Sequence, residues 1–178
     1  MAVVLGGPSG ENRRGEGVRK MNTPSRKQFM ELVACFNLAT EATKEQLASE
    51  YDQRTQEDAA AQRPITPMLL FCMERAGTPA RAEAIFNHVL KTSRISYWPM
   101  PELAPHLRAN QEIKAICFKH FLVPIKASET LLVLCSCNQY DGEGPTAIWQ
   151  KLASRKPPFP IVVLSEPERI RKALMQFA

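Results

Sequence analysis

Apolar positions in the first two thirds of this chain recur at helical spacing. Phe29, Leu32, Val33 and Phe36 fall at i, i+3, i+4 and i+7, one buried face of a helix starting at Thr23 or Ser25. Asn37 to Ala42 breaks the pattern. Thr43 with Gln46 then has the form of a capping box, in which each side chain bonds the other residue's backbone N–H, and opens a second helix with Leu47 and Tyr51 inward. Beyond Tyr51 the sequence is polar and Ala-rich, so the outer half of that helix is expected to pack poorly. Gln62 to Pro67 reads as a linker, because each proline disfavours a helical residue before it. Thr66 and Pro67 open a short helix carrying Leu69, Leu70 and Met73, closed by Gly77 as a C-terminal cap. Thr78 and Pro79 repeat the start signal for a helix with Ala82, Ile85, Phe86 and Val89 on one stripe and Arg81 and His88 off it. The two helix pairs, 24–61 and 66–92, look like a weak internal duplication.

The pattern then changes. Ile95 to Met100 is a short extended segment that Pro99 restricts to an edge or a linker, and Pro101 to Leu107 has room for one turn. Asn110 is placed to cap a helix running to His120 with Ile113, Ile116 and Cys117 inward. Two β-branched-rich runs follow, Phe121 to Lys126 and Thr130 to Cys137. Only Ala127, Ser128 and Glu129 separate them, which is too short for a helical crossover and predicts an antiparallel hairpin. A helix is expected to open at Pro145, with Ile148, Trp149 and Leu152 along one face. Pro160 to Leu164 is continuously apolar, which predicts a strand covered on both faces, and Ser165 with Glu168 has the form of a capping box for a last helix with Ile170, Leu174 and Phe177 inward. The expected fold is α+β. A disordered basic tail (1–22) precedes a helical subdomain of two helix pairs (23–94) and a small three-stranded mixed sheet packed with helices (95–178).

Composition refines this. With 178 residues, 44% of them hydrophobic, the chain is globular, with room for one domain or one domain plus a helical annex. No run of eighteen apolar residues exists, so no membrane span is expected. Met1 to Leu5 is too short for a secretory core, and a cytoplasmic location follows. Five scattered cysteines, Cys35, Cys72, Cys117, Cys135 and Cys137, match neither a disulfide framework nor a zinc site and fit a reducing compartment. Six cations (Arg13, Arg14, Arg19, Lys20, Arg26, Lys27) against Glu11 and Glu16 put +4 of the formal +5 charge into the first 27 residues. The basic character therefore belongs to the tail. No aromatic residue interleaves with those charges, so no nucleic-acid partner is expected. Met21 offers an alternative start.

Candidate chemistry is sparse. Neither Gly6-Gly7-Pro8-Ser9-Gly10 nor Gly142-Glu143-Gly144 is followed by the lysine of a phosphate-gripping loop. Gly142 and Gly144 do lie between a strand and a helix, where backbone amides could meet an anion. His88, His106 and His120 are far apart and read as structural or surface residues. Asp141 and Glu143 read as solvated loop charges. Pro157-Pro158-Phe159-Pro160 is expected to stiffen the approach to the last strand. No catalytic residue, cofactor or metal ligand is assigned, and the chain is not expected to be an enzyme.

The order of two helix pairs, a Tyr97-Trp98 extended segment, a helix leading into the hairpin, then helix, strand and helix resembles the N-terminal domain of type II secretion and type IV pilus assembly ATPases. That family ends its hairpin with an "lPl" run, an L-x-V-A run and D-P-x-D. Val123-Pro124-Ile125, Leu132-Val133-Leu134-Cys135 and Asn138-Gln139-Tyr140-Asp141 stand in those places, without the usual proline. The resemblance covers about residues 25–177. It implies a stand-alone, non-catalytic docking and regulatory module for a secretion or pilus assembly protein, with Tyr97 and Trp98 as the partner-binding joint between subdomains. It also implies a nucleotide-sensing alternative, since some members bind cyclic di-GMP through two copies of R-L-G-x2-L-x3-G-x6-L-x3-L-x2-Q. In the first copy, framed by Leu32 and Leu47, Glu31, Val33, Phe36, Thr40 and Arg54 replace the arginine, first glycine, next leucine, second glycine and glutamine. In the second, Leu69 and Gly77 match, while Met68 and Lys91 replace the arginine and the glutamine. Added side chains and a repelling carboxylate where the family has glycines and an arginine predict weak or absent binding of the dinucleotide. The ligand-binding candidates are Leu69, Gly77, Gly142 and Gly144.

Overall fold

The computed structural model describes residues 23–38, 43–139, 141–152 and 159–178, with backbone alone for 23–25. The predicted tail, most of the break after the first helix, Tyr140 and Pro157-Pro158 lie outside the described residues. The elements in order are α1 (Thr23–Cys35), α2 (Lys44–Ala60), α3 (Met68–Glu74), α4 (Pro79–Ser93), a 3-10 turn (Pro105–Leu107), α5 (Gln111–His120), β1 (Leu122–Ala127), β2 (Leu132–Ser136), α6 (Glu143–Leu152), β3 (Ile161–Leu164) and α7 (Pro167–Leu174). The fold is α+β: a helical N-terminal part followed by a three-stranded mixed sheet packed with helices.

The helical part is held by the predicted stripes. Phe29, Leu32 and Val33 of α1 are buried, and Phe29 meets Tyr51 of α2 and Phe71 of α3 with ring centroids 6.1 and 6.5 Å apart. Helix α1 packs on α3 and α3 on α4, where Ile85, Phe86 and Val89 turn inward. Burying a side chain of this size contributes about 1.5–3 kcal/mol, so these three positions outweigh the low intrinsic helix preference of a β-branched valine.

Start signals met different fates. The Thr78 hydroxyl accepts from the Arg81 N–H at 3.3 Å and Asn110 accepts from Ile113 at 3.0 Å, as expected. The Thr43 side chain does not cap α2, and Gln46 instead bonds Glu50 one turn on, at 3.2 Å. Pro67 is the N-cap of α3 rather than its first helical residue. Thr66 is turned away from the helix: its N–H and hydroxyl both donate to the buried carboxylate of Asp58, at 2.9 and 2.6 Å. Arg63 binds the other Asp58 oxygen at 3.0 Å, so the 62–67 linker wraps a carboxylate from the helix half expected to pack poorly. Helix α3 closes at Arg75, and Gly77, at φ +78°, makes the turn into α4.

In the sheet, β2 is central, antiparallel to β1 and parallel to β3. The hairpin forms as predicted, with Leu122 opposite Ser136 and Ala127 opposite Leu132. The register shifts between Pro124 and Lys126, and Pro124, on an edge strand, gives its carbonyl to the Ala104 N–H at 2.9 Å. All of β2 is buried. Strand β3 departs from expectation: Ile161 is 53% exposed and Val162 half-buried. The cause lies in the 95–100 segment, which pairs only with the strand's far end, where Leu164 N–H donates to Ser96 and Trp98 N–H to Leu164, at 2.9 and 2.7 Å. Helix α7 lies on β1 and β2 with Ile170 and Leu174 fully buried, and also touches α3 and α5, joining the sheet to the helical part. Its N-cap is Glu166, so the expected Ser165–Glu168 box is not formed, and buried Ser165 stands against the Cys135 thiol.

Candidate functional site

Tyr97 is fixed from three directions. Its backbone is bridged to Leu164, its ring meets Phe86 of α4 edge-on at 6.0 Å, and its hydroxyl donates to Glu166 at 2.7 Å. Glu166 is also paired with Arg169, whose guanidinium reaches the Pro99 carbonyl. Partial desolvation, followed by the Glu166 carboxylate, pushes the Tyr97 phenol above its ordinary range. Tyr97 thus touches both α4 and the residue that precedes α7.

Beside it runs an open groove of about 410 Å³. One wall is α4, with Pro79, Ala82, Phe86 and Leu90 at helical spacing, and the other is Tyr97 and Glu166. Glu83 and Asn87 stand one turn apart on the α4 wall, exposed, their side chains without a hydrogen bond or ion pair to any described residue. Trp98 is 36% exposed next to the groove's Tyr97; its indole N–H is held by the Met100 carbonyl at 3.1 Å, and Lys126 lies 5.9 Å from its ring.

The four predicted ligand residues lie on separate elements. Leu69 is 2% exposed, inside the core. Gly77 is in the α3–α4 turn, with open space where a Cβ would project. Gly142 is exposed, while Gly144 is buried inside the first turn of α6. Helix α6 opens at Glu143, two residues before the expected Pro145, because Asp141 caps it: one carboxylate oxygen accepts from the Glu143 and Gly144 amides, both at 3.1 Å. The other oxygen lies 2.8 Å from His120 Nδ1, with the two side chains only 6% and 11% exposed. The amides that an anion would use at this turn are therefore bound by the protein's own carboxylate. Sequence reasoning took Asp141 for a solvated loop charge, which this contact corrects, and His120 for a structural or surface residue, and it is structural. Twenty-one positions separate them, and only the packing of α6 against α5 brings them together. The one available signal was the spacing of Asp141 ahead of Gly144, an N-cap spacing.

The thiols mark the dry side of the molecule. Burial pushes Cys72 and Cys135 up to about 12 and raises Cys117 and Cys137 further, whereas Cys35 is exposed. All five are free. Among the described residues, no three His, Cys, Asp or Glu side chains gather as metal ligands would, and no helix is long and apolar enough to cross a membrane. Comparison with protein-family models and with curated proteins finds no match to this chain.

Proposed function

We propose that the chain is a non-catalytic docking and regulatory module of the kind its resemblance implies, the N-terminal domain of type II secretion and type IV pilus assembly ATPases. It works in the cytoplasm and holds a protein component of a secretion or pilus assembly system against the groove between α4 and Tyr97. The observation that carries this reading is the groove itself, where Pro79, Ala82, Phe86, Leu90 and Tyr97 form an open apolar trough. Burying apolar surface at about 25 cal/mol per Å² favours association without any chemistry at the site. The alternative ligand turn at Gly142 and Gly144 has its amides engaged by Asp141.

The test is binding of the full chain to purified cytoplasmic parts of the secretion and pilus assembly proteins from its own source, with Asn87→Trp as the blocking variant. Asn87 is exposed and its side chain makes no hydrogen bond with any described residue, so the substitution fills the groove while leaving the fold intact. One component binding the wild type and not the variant is expected. Binding to none of them, or equally to both forms, would refute the reading, and saturable thermal stabilisation by cyclic di-GMP would favour a nucleotide sensor instead.

A further inference from the structure

The charge on the groove says what kind of segment it takes. The charged side chains in its lining, Glu83 and Glu166, are both carboxylates, and no lysine or arginine lines it. Glu166 is engaged by Tyr97 and Arg169, whereas Glu83 is exposed and unpaired among the described residues. An apolar trough edged by an unneutralised carboxylate favours a cation flanked by apolar side chains over an anion. Shape narrows the choice further. The lining residues of α4 run from Pro79 to Leu90, three helical turns or about 17 Å, with small Ala82 between the larger side chains. Such a row suits the ridge of a second helix laid along it.

We propose that the groove binds an amphipathic helix of the protein partner that carries a lysine or arginine beside its apolar stripe, the cation facing Glu83. This rests on the docking reading above and adds the chemistry of the partner. Phe86, Leu90 and Tyr97 receive the apolar stripe, the Asn87 carboxamide stands one turn beyond Glu83 to bond the same polar edge, and Glu83 sets the sign of charge accepted.

The probe is a pair of stapled helical peptides of about 15 residues with one apolar face, differing only in lysine or glutamate at the two flanking positions. Titrated into isotope-labelled full chain, the lysine peptide is expected to shift the amides of Glu83, Asn87 and Tyr97 and to bind about tenfold more tightly than the glutamate peptide, a preference that shrinks with added salt. Glu83→Lys should abolish or invert the preference, and Glu83→Gln should reduce it. Equal affinity of the two peptides, shifts elsewhere on the surface, a preference that survives Glu83→Lys, or no binding of either peptide would overturn the proposal. So would a groove filled by a second copy, seen as self-association of the wild type that Asn87→Trp abolishes. The two levels fail differently. If Asn87→Trp blocks the assembly component while Glu83→Lys leaves both peptides and component unaffected, the charge inference falls and docking stands. If Asn87→Trp leaves the component bound, docking at this groove falls.

Discussion

The start of α6 and the groove along α4 are two places where this chain sets polar groups beside apolar ones, and they solve the problem in opposite ways. At α6 the amides of Glu143 and Gly144, the Asp141 carboxylate and the His120 ring satisfy one another. At α4 the Glu83 carboxylate and Asn87 carboxamide stay in water beside uncovered apolar side chains. Sequence alone admits the first as a ligand site, because a glycine-flanked helix start is a familiar place for an anion. The structure puts a native anion there and leaves the second open. A helix terminus is a site only if its own chain has not supplied the charge.

The contrast between a dry interior and a wet groove has its largest consequence at high pH. An unfolded thiol ionises near its ordinary value of 9.0, whereas folded Cys72 and Cys135 hold their protons to about 12. Between those values the unfolded chain binds fewer protons than the folded one, so stability falls as pH rises. The contribution of these thiols is complete below about pH 9 and is lost toward pH 12, by on the order of 2 kcal/mol for each of the two by about pH 11. Denaturant unfolding between about pH 8 and pH 11 should show this decline. A thiol reagent should label Cys35 at once and the four buried thiols only on unfolding.

Next in size is a glycine comparison. A Cβ at Gly144 would stand 2.6 Å from Leu122 Cδ2, 2.7 Å from His120 Cβ and 2.8 Å from Asp141 Oδ2, while one at Gly142 meets nothing within 4 Å. Alanine normally gains about 1 kcal/mol over glycine in a helix interior. At Gly144 the crowding wins, since Leu122 is fully buried and His120 is held through its ring. Gly144→Ala should cost about 2–3 kcal/mol, and Gly142→Ala less than about 0.5 kcal/mol, by urea denaturation. Equal effects would mean that the closed turn is not tightly packed.

How much of this was legible in the sequence depends on the reach of each interaction. The stripes of α1 and α4, the hairpin, the Thr78 and Asn110 caps and the Tyr97 edge segment depend on neighbours a few residues away or on burial of a whole face, and all are present. The boxes at Thr43 and Ser165 satisfy the same local pattern and still fail. Gln46 has a better partner one turn along its own helix, and Ser165 is drawn into the core beside Cys135. Asp58 with Thr66, and Asp141 with His120, are polar pairs made by tertiary packing, which no periodicity announces. The exposed start of β3 had the same origin: an apolar run cannot say how far its neighbouring segment extends. Of the groove residues, Ala82 and Phe86 were visible in a helix stripe and Tyr97 in an extended Tyr-Trp pair; their juxtaposition was not.

Removing the internal anion should measure how closed the α6 end is. Asp141→Ala strips the cap from two amides and leaves buried His120 without its carboxylate, so a loss of about 1–3 kcal/mol is expected. Asp141→Asn keeps one acceptor for the amides and should fall between the alanine variant and wild type. If added sulfate or phosphate restores the alanine variant and does nothing to the wild type, the carboxylate is filling what would otherwise be an anion site. Loss of less than about 0.5 kcal/mol would place Asp141 among ordinary solvated charges.

The smallest expected effect lies at the joint. Tyr97→Phe keeps the ring against Phe86 and deletes only the bond to Glu166, which is partly exposed and still has Arg169. A hydrogen bond of this exposure contributes at most about 1 kcal/mol, so stability should fall by less than that. The informative readout is the phenol titration. Tyr97 in the wild type should ionise above the ordinary tyrosine range because desolvation and the Glu166 carboxylate both oppose a phenolate, and the variant should lose one late-titrating phenol from the ultraviolet titration while that of Tyr51, which burial raises further, remains. The groove retains its apolar wall in Tyr97→Phe, so a peptide that binds through the trough and Glu83 should lose little affinity. A large loss would instead assign the Tyr97 hydroxyl, with Glu166, to the recognition surface and move the charge-reading end of the groove from α4 to the start of α7.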